Sequence, residues 1–323
     1  MTPLYLDAAT LAACLGDDEL FEVVSGTMRR LASEDVALGF TEVFEVEVDG
    51  VRNRMGAMAG AVVPQAAAGL KWFHVPGSKR SGDAPHVPAT LMVCDARTGL
   101  LDGLMDATRL TAERTGAMGA VAALAAARRP PRSATIVGAG WIGRAAARFI
   151  ARAPGIDQVT LAARTIDGAA DACLAIEARV PRTVALHAST DIRTAVGDAD
   201  IVITATSVPS GTDVVRAAWL DDDAVVCSLG SYREVDLDLV ADAWMVVHDV
   251  EHVRSRREDL REGGVGWSRV AGDVAALMAG NLSRPVAPCR AYVVVGSIGA
   301  LDIALGARAL SNARKAGVGI PLG

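Results

Sequence analysis

Apolar and polar residues alternate with a period of two early in the chain and give way to short apolar runs separated by helical periodicity later. Over residues 41–48, Phe44, Val46 and Val48 alternate with Glu45, Glu47 and Asp49, the pattern of a strand with one apolar face. Asp49-Gly50 is the dipeptide favoured where both central residues of a hairpin turn need positive φ, and residues 51–55 read as the return strand. A two-residue turn sets Arg52 opposite Glu47 and Arg54 opposite Glu45, so these arginines are expected to form cross-strand ion pairs, not to bind a ligand. Residues 4–6, 69–73 and 89–94 read as further strands. Residues 17–32 form an amphipathic helix with Asp17 and Asp18 as caps, and residues 108–127 a long helix. Gly77 to Pro88, rich in Gly, Ser and Pro, reads as a mobile loop.

The second half changes character. Short apolar runs at residues 134–137, 158–163, 183–187, 200–206, 224–229 and 244–249 alternate with helical or loop segments, which predicts βα units and a parallel sheet. Residues 260–273 hold four glycines and read as a loop, and residues 302–316 read as a final helix. The first run leads into Gly138-Ala-Gly-Trp-Ile-Gly143, a G-x-G-x-x-G turn at a strand-to-helix junction, with the helix placed from Gly143 onward. The three glycines of this motif serve a tight turn, close approach of backbone to a pyrophosphate, and close packing of helix on strand. Gly138, Gly140, Trp141, Ile142 and Gly143 are therefore candidate dinucleotide-binding residues. An acidic residue at the end of the second strand would bind the ribose 2′-hydroxyl of NAD; this chain has Arg164-Thr165, and an arginine there can hold a 2′-phosphate. The expected cofactor is NADP(H), with NAD(H) as the alternative. Thr204, Thr206 and Ser207 end the fourth strand and Gly230 follows the fifth, at the carboxyl edge where ligands dock in such sheets.

Composition narrows the class. The chain is 51% hydrophobic and 4% aromatic with a net charge of −6, which suits a helix-rich α/β enzyme and argues against a nucleic-acid or anionic-membrane partner. Cys14, Cys94, Cys173, Cys227 and Cys289 are scattered and unpaired in pattern, so neither a disulfide framework nor a metal site is expected. No signal-peptide pattern and no apolar run of membrane-spanning length occur, so the protein is expected to be soluble and cytoplasmic.

Two basic residues stand in apolar surroundings. Lys71 lies between bulky neighbours in Gly69-Leu-Lys-Trp-Phe73; it is either paired, or has its pKa lowered, or snorkels from an edge strand. Arg114 shares a helical stripe with Leu110, Ala117, Met118 and Val121, and a guanidinium there asks for an anion, from the protein or from a substrate.

Taken together, the motifs Gly69-Leu-Lys-Trp, Asp95 with Thr98-Gly99, Leu110-Thr-Ala-Glu-Arg-Thr115, Val137 through Gly143, Ala199 through Ser207 and Gly296-Ser-Ile-Gly-Ala-Leu-Asp302 make the chain resemble the ornithine cyclodeaminase/mu-crystallin family over most of its length. The resemblance implies a homodimer, with a smaller α+β substrate and dimerisation domain (residues 1–128 with 300–323) beside a Rossmann-type doubly wound parallel sheet (residues 129–299). It places Lys71 and Arg114 at the substrate carboxylate. Two motifs depart from the family. The Pro-x-Arg whose arginine also grips the carboxylate is absent from Gly39-Phe-Thr-Glu-Val43. The Gly-x-Asp of the cyclodeaminases, whose Asp moves protons, is replaced by Gly230-Ser-Tyr-Arg-Glu234, with Glu234 and Asp236 expected to cap the next segment. The resemblance thus implies an NAD(P)H-dependent imino-acid (ketimine) reductase or amino-acid dehydrogenase. The alternatives are an ornithine cyclodeaminase, which converts L-ornithine to L-proline and ammonia, and a non-catalytic NADP(H)-binding protein like the crystallins.

Overall fold

A computed structural model describes residues 2–77, 87–230, 233–296 and 298–323. Most of the loop expected at Gly77–Pro88 and two residues of the loop after Gly230, Ser231 and Tyr232, lie outside the described residues, as does Ser297. The chain divides into two compact units, Met1–Arg114 with Ser297–Gly323, and Thr115–Gly296.

Elements are numbered in chain order. The first unit contains β1 (Leu4–Leu6), α1 (Ala8–Ala13), α2 (Asp17–Arg29), β2 (Val36–Val48), β3 (Val51–Val62), β4 (Ala67–Val75), β5 (Ala89–Asp95), β6 (Leu101–Asp106) and the start of α3 (Thr108–Ala126). Its C-terminal part adds α10 (Gly299–Ala316) and β15 (Ile320–Pro321). The sheet order is β15-β1-β6-β5-β4-β3-β2, antiparallel except for β1 beside β6. The hairpin of β2 and β3 turns at Asp49 and Gly50, both with positive φ, and its register sets Arg52 against Glu47 and Arg54 against Glu45 as the dipeptide predicts. The ion pair that forms is the diagonal one, Arg52 to Glu45 at 3.5 Å. Gly16, not Asp17 or Asp18, is the N-cap of α2; both aspartates lie in its first turn, where the helix dipole favours them.

One register row explains the core of this unit. Met58 pairs with Lys71, Lys71 with Leu91 and Leu91 with Met105, so four side chains on four neighbouring strands point to one face. All four are at most 1% exposed, and α10 packs on β3, β4 and β5.

The second unit takes the rest of α3 and the strands β7 (Ser133–Val137), β8 (Gln158–Ala162), β9 (Ala185–Ser189), β10 (Ile201–Thr204), β11 (Val225–Ser228), β12 (Trp244–Val247), β13 (Val270–Asp273) and β14 (Ala291–Val294). Around them lie α4 (Trp141–Ile150), α5 (Ile166–Glu177), α6 (Ile192–Gly197), α7 (Leu237–Asp242), α8 (Val250–Arg256) and α9 (Val274–Met278). The strand order is β13-β12-β14-β11-β10-β7-β8-β9, all parallel. Chain order runs outward from β7 through β8 to β9 on one side and from β10 to β11 on the other, with β14 inserted before β12 and β13, and a doubly wound sheet opens its ligand crevice at the carboxyl ends where the direction reverses.

Three sequence expectations are corrected in this unit. The helix after β7 begins at Trp141, two residues before Gly143. Residues 260–273, read as loop, contain β13, an edge strand whose glycine hid its apolar signal. Residues 291–294, given no element, form β14 between β11 and β12; a four-residue run is too short to show a period. Among the described residues no helix is long and apolar enough to cross a membrane.

Candidate active site

In the first unit, Lys71 and Arg114 converge on a carboxylate that sequence reasoning left without a role. Lys71 Nζ donates to both carboxylate oxygens of Asp302, each at 2.8 Å, and Arg114 Nε donates to Oδ1 at 3.3 Å. Lys71 is 1% exposed, Arg114 4% and Asp302 0%. Lys71 does not snorkel, because β4 is flanked on both sides by β3 and β5. Asp302 lies in the first turn of α10, where the helix dipole also favours its charge. Two buried cations meet one anion, an excess of one positive charge in a site of low polarity. A second anion would balance it. Burial, and next the Arg114 guanidinium, lower the Lys71 pKa to about 7, against the pull of Asp302 in the other direction. A lysine so tuned carries or releases a proton near neutral pH.

In the second unit, the glycine turn at the end of β7 has a shape only glycines allow. Gly138 has a φ of +115°, and a Cβ there would stand 2.4 Å from the Ala205 carbonyl oxygen. A Cβ on Gly143 would stand 1.8 Å from the Gly138 carbonyl oxygen. Gly140 differs: no atom lies within 4 Å of where its Cβ would be, and as N-cap of α4 it offers no side chain to the helix amides. The open space above Gly140 and the uncapped N-terminus of a ten-residue helix fit a pyrophosphate, so the residues present suit a dinucleotide. Trp141 is exposed and Ile142 half-buried beside this opening.

The remaining candidates divide into those that reach solvent and those that do not. Arg164 is exposed just past β8, and Thr165 caps α5 by accepting from the Gly168 amide at 3.2 Å. Ser207 is exposed. Thr204 is 0% exposed and its hydroxyl is committed inside the protein, 2.8 Å from Glu234 Oε2 and 3.1 Å from Ser228 Oγ. Its side chain is therefore a support, not a surface. Asp236 caps α7, accepting from the Leu239 amide at 3.1 Å, as expected. Glu234 does not cap: it turns inward and binds Thr204, Thr206 and Gly230. Burial pushes its pKa up, opposed by those hydrogen bonds.

A mixed-sheet unit with a buried Lys71–Asp302–Arg114 cluster and a doubly wound unit with a glycine turn after its first strand together define an α/β protein of the Rossmann class. The chain belongs to the ornithine cyclodeaminase/mu-crystallin family, whose sequence model matches residues 12–279. It is similar to a Delta(1)-pyrroline-2-carboxylate reductase of Paracoccus denitrificans, 30% identical over 219 residues that make up 65% of this chain and 68% of that one. Its fold is that of the Thermococcus litoralis Delta(1)-pyrroline-2-carboxylate reductase solved with NADH and L-proline, with a TM-score of 0.88 at 21% identity over 99% of this chain and 100% of the other. An archaeal alanine dehydrogenase dimer with bound NAD matches with a TM-score of 0.86 at 21% identity over 100% and 99% of the two chains.

Proposed function

We propose that the protein is an NAD(P)H-dependent reductase of a small 2-imino acid, of the pyrroline-2-carboxylate type, which in reverse acts as an amino-acid dehydrogenase. The observation that carries this reading is the buried Lys71–Asp302–Arg114 cluster with its unbalanced positive charge. Arg114 and Lys71 hold the substrate carboxylate and thereby fix the plane of the adjacent C=N bond. Lys71, with a pKa near 7, delivers a proton to the imine nitrogen as that bond is reduced. Asp302 holds Lys71 in place through both of its carboxylate oxygens. Gly138, Gly140 and Gly143 seat the pyrophosphate of the dinucleotide, with Trp141, Ile142, Thr206, Ser207 and Gly230 along the same carboxyl edge. When bound, the nicotinamide supplies the hydride.

The reading that the cofactor is the phosphorylated one is supported by Arg164, an exposed cation just past β8, where an acidic residue would serve NAD. Arg164→Asp should abolish a preference for NADPH over NADH; comparable kcat/KM for both cofactors in the native protein, unmoved by the substitution, would refute the assignment. The working form is a homodimer. Five thiols, none of them in a disulfide, suit the cytoplasm.

The test is a panel of cyclic imines and of 2-oxo acids with amines, followed by NADPH and NADH absorbance. Reduction of a cyclic or small linear 2-imino acid is expected, with little ammonia from L-ornithine and NAD. Cyclodeamination also needs a proton carrier in the loop after β11, and the acid that follows that loop, Glu234, is sealed inside the protein. Rapid conversion of ornithine to proline, with no imine reduced, would restore the cyclodeaminase reading. Lys71→Ala and Arg114→Ala should each remove most activity and leave cofactor affinity nearly intact. Near-normal turnover in either variant would make the cluster purely structural.

A further inference from the structure

The carboxyl edge of the parallel sheet holds a buried carboxylate that imine reduction does not call for. Glu234 Oε2 accepts from the Thr204 hydroxyl at 2.8 Å and from the Gly230 amide at 3.2 Å. Its Oε1 accepts from the Thr206 amide at 2.9 Å and, more closely, from the Thr206 hydroxyl. The Glu234 carbonyl oxygen accepts in turn from the amides of Val214 and Val215, at 3.0 and 3.1 Å. One residue thus binds the chain on both sides of the loop that follows β10 and joins it to Gly230, the second residue past β11. The fit leaves no slack: a Cβ on Gly230 would stand 2.5 Å from the Thr206 carbonyl oxygen and 2.6 Å from Glu234 Oε1.

A line of polar side chains backs this arrangement. Ser228 Oγ lies 3.1 Å from the Thr204 hydroxyl and 3.2 Å from Tyr292 Oη; Arg257 donates to Tyr292 Oη at 3.3 Å and to Asp259 Oδ1 at 3.1 Å. Thr204, Ser228, Tyr292 and Arg257 are at most 3% exposed. Desolvating a carboxylate is unfavourable, and apolar packing would stabilise a loop at least as well. What the carboxylate adds is a fixed position for two backbone segments, because four donors in set directions admit one arrangement.

We propose that Glu234 is the positioning residue for the nicotinamide half of the dinucleotide site. The inference rests on the cofactor reading above. The adenosine half belongs at the end of β8, beside Arg164 and Thr165, and the pyrophosphate at the turn after β7. The other half then continues along the same edge over the ends of β10 and β11, whose loops Glu234 locks together. Glu234 touches no reacting atom; it acts through Thr206 and Gly230.

The two halves make the proposal testable with the full chain. Binding of NADPH and of 2′-phospho-ADP-ribose, which lacks the nicotinamide, is measured by calorimetry for the native protein, Glu234→Gln and Glu234→Ala, with thermal unfolding and imine-reduction kinetics alongside. Glu234→Ala should weaken NADPH by roughly tenfold and lower kcat by more than tenfold, because a disordered site loses preorganisation before it loses contacts. Affinity for 2′-phospho-ADP-ribose and KM for the imine should stay within about twofold. Glu234→Gln, which keeps the shape but turns part of the acceptor into a donor, should fall between. If Glu234→Ala fails to fold, Glu234→Gln decides by the same split. Equal losses for both nucleotides, or NADPH binding and kcat like the native protein's in a folded variant, would overturn the proposal and make Glu234 only a structural tie. If the native protein binds neither nucleotide, the cofactor reading itself fails, and this inference with it.

Discussion

Lys71 holds its place against its own chemistry. Its register neighbours Met58 and Leu91 are apolar and buried, so among the described residues the ammonium is compensated by Asp302. Asp302→Asn would leave two buried cations without a counter-charge, and breaking a buried pair from one side costs about 3–5 kcal/mol. Urea unfolding at neutral pH should show a loss of that order; a loss under about 1 kcal/mol would mean that water reaches the cluster. The lowered Lys71 pKa makes a second demand, with a definite sign. Between about 7 and its ordinary value of 10.5, the unfolded chain keeps a proton that the folded chain has released. The unfolded state then binds more protons, so this residue makes the protein more stable as pH rises through that window. Lys71→Met should remove the rise, up to about 1.4 kcal/mol per pH unit, in the difference between native and variant stability from pH 7 to 10. Parallel curves would show that Lys71 keeps its proton throughout.

At the scale of elements, the turn from β7 into α4 separates two roles that one motif combines. Gly143 serves the fold: its missing Cβ lets the first turn of α4 rest on the Gly138 carbonyl. Gly140 has no such role in the fold: its own surroundings are open and its φ of −75° is available to any residue, so the proposed ligand site is what would require a glycine there. Gly143→Ala should therefore destabilise by about 1–3 kcal/mol, as overpacking does, and weaken cofactor binding as well. Gly140→Ala should unfold within about 0.5 kcal/mol of the native protein, yet lose cofactor affinity because its methyl group occupies the pyrophosphate's approach. Calorimetry of folded Gly140→Ala showing native affinity would remove the turn from the site. The same scale explains α3, which starts in the unit of Arg114 and continues into the unit of the glycine turn. A Cβ on Gly116 would stand 2.5 Å from the Ala146 amide nitrogen, so that helix packs closely on α4.

At the scale of the molecule, the first unit leaves an apolar face open. Phe44, Val48 and Trp72 are 47%, 51% and 41% exposed, on the side of the sheet away from α10, and the Phe44 and Trp72 rings lie 5.8 Å apart. The alternation over residues 41–48 reads as a strand with one side buried, and within a single chain that side is not buried. A second copy of the chain covering it, in the proposed homodimer, would reconcile the pattern with the exposure. Trp72→Glu should then shift the protein from dimer to monomer in sedimentation velocity, without unfolding it, since Trp72 is 41% exposed and lies on the face away from α10. A native protein that sediments as a monomer at micromolar concentration would refute the dimer.

What depends on a few neighbouring residues was legible in the chain alone. Asp49-Gly50 specified the hairpin and its register because positive φ is a property of the backbone at two positions. Gly138 and Gly143 specified the turn after β7 because the absence of a Cβ acts locally, and Asp236 caps a helix within three residues of itself. The parallel sheet followed from alternating βα segments. Long-range packing decided the rest. Lys71 meets a carboxylate 231 residues away, and no spacing rule links them; only the laying of α10 across the sheet does. The residues of β14 become a central strand because they lie between β11 and β12, where both edges are hydrogen-bonded, and not through any pattern of their own. Glu234 reads as a helix cap beside Asp236, yet it turns into the protein because Thr204, Thr206 and Gly230 offer it four donors that only the folded sheet brings together.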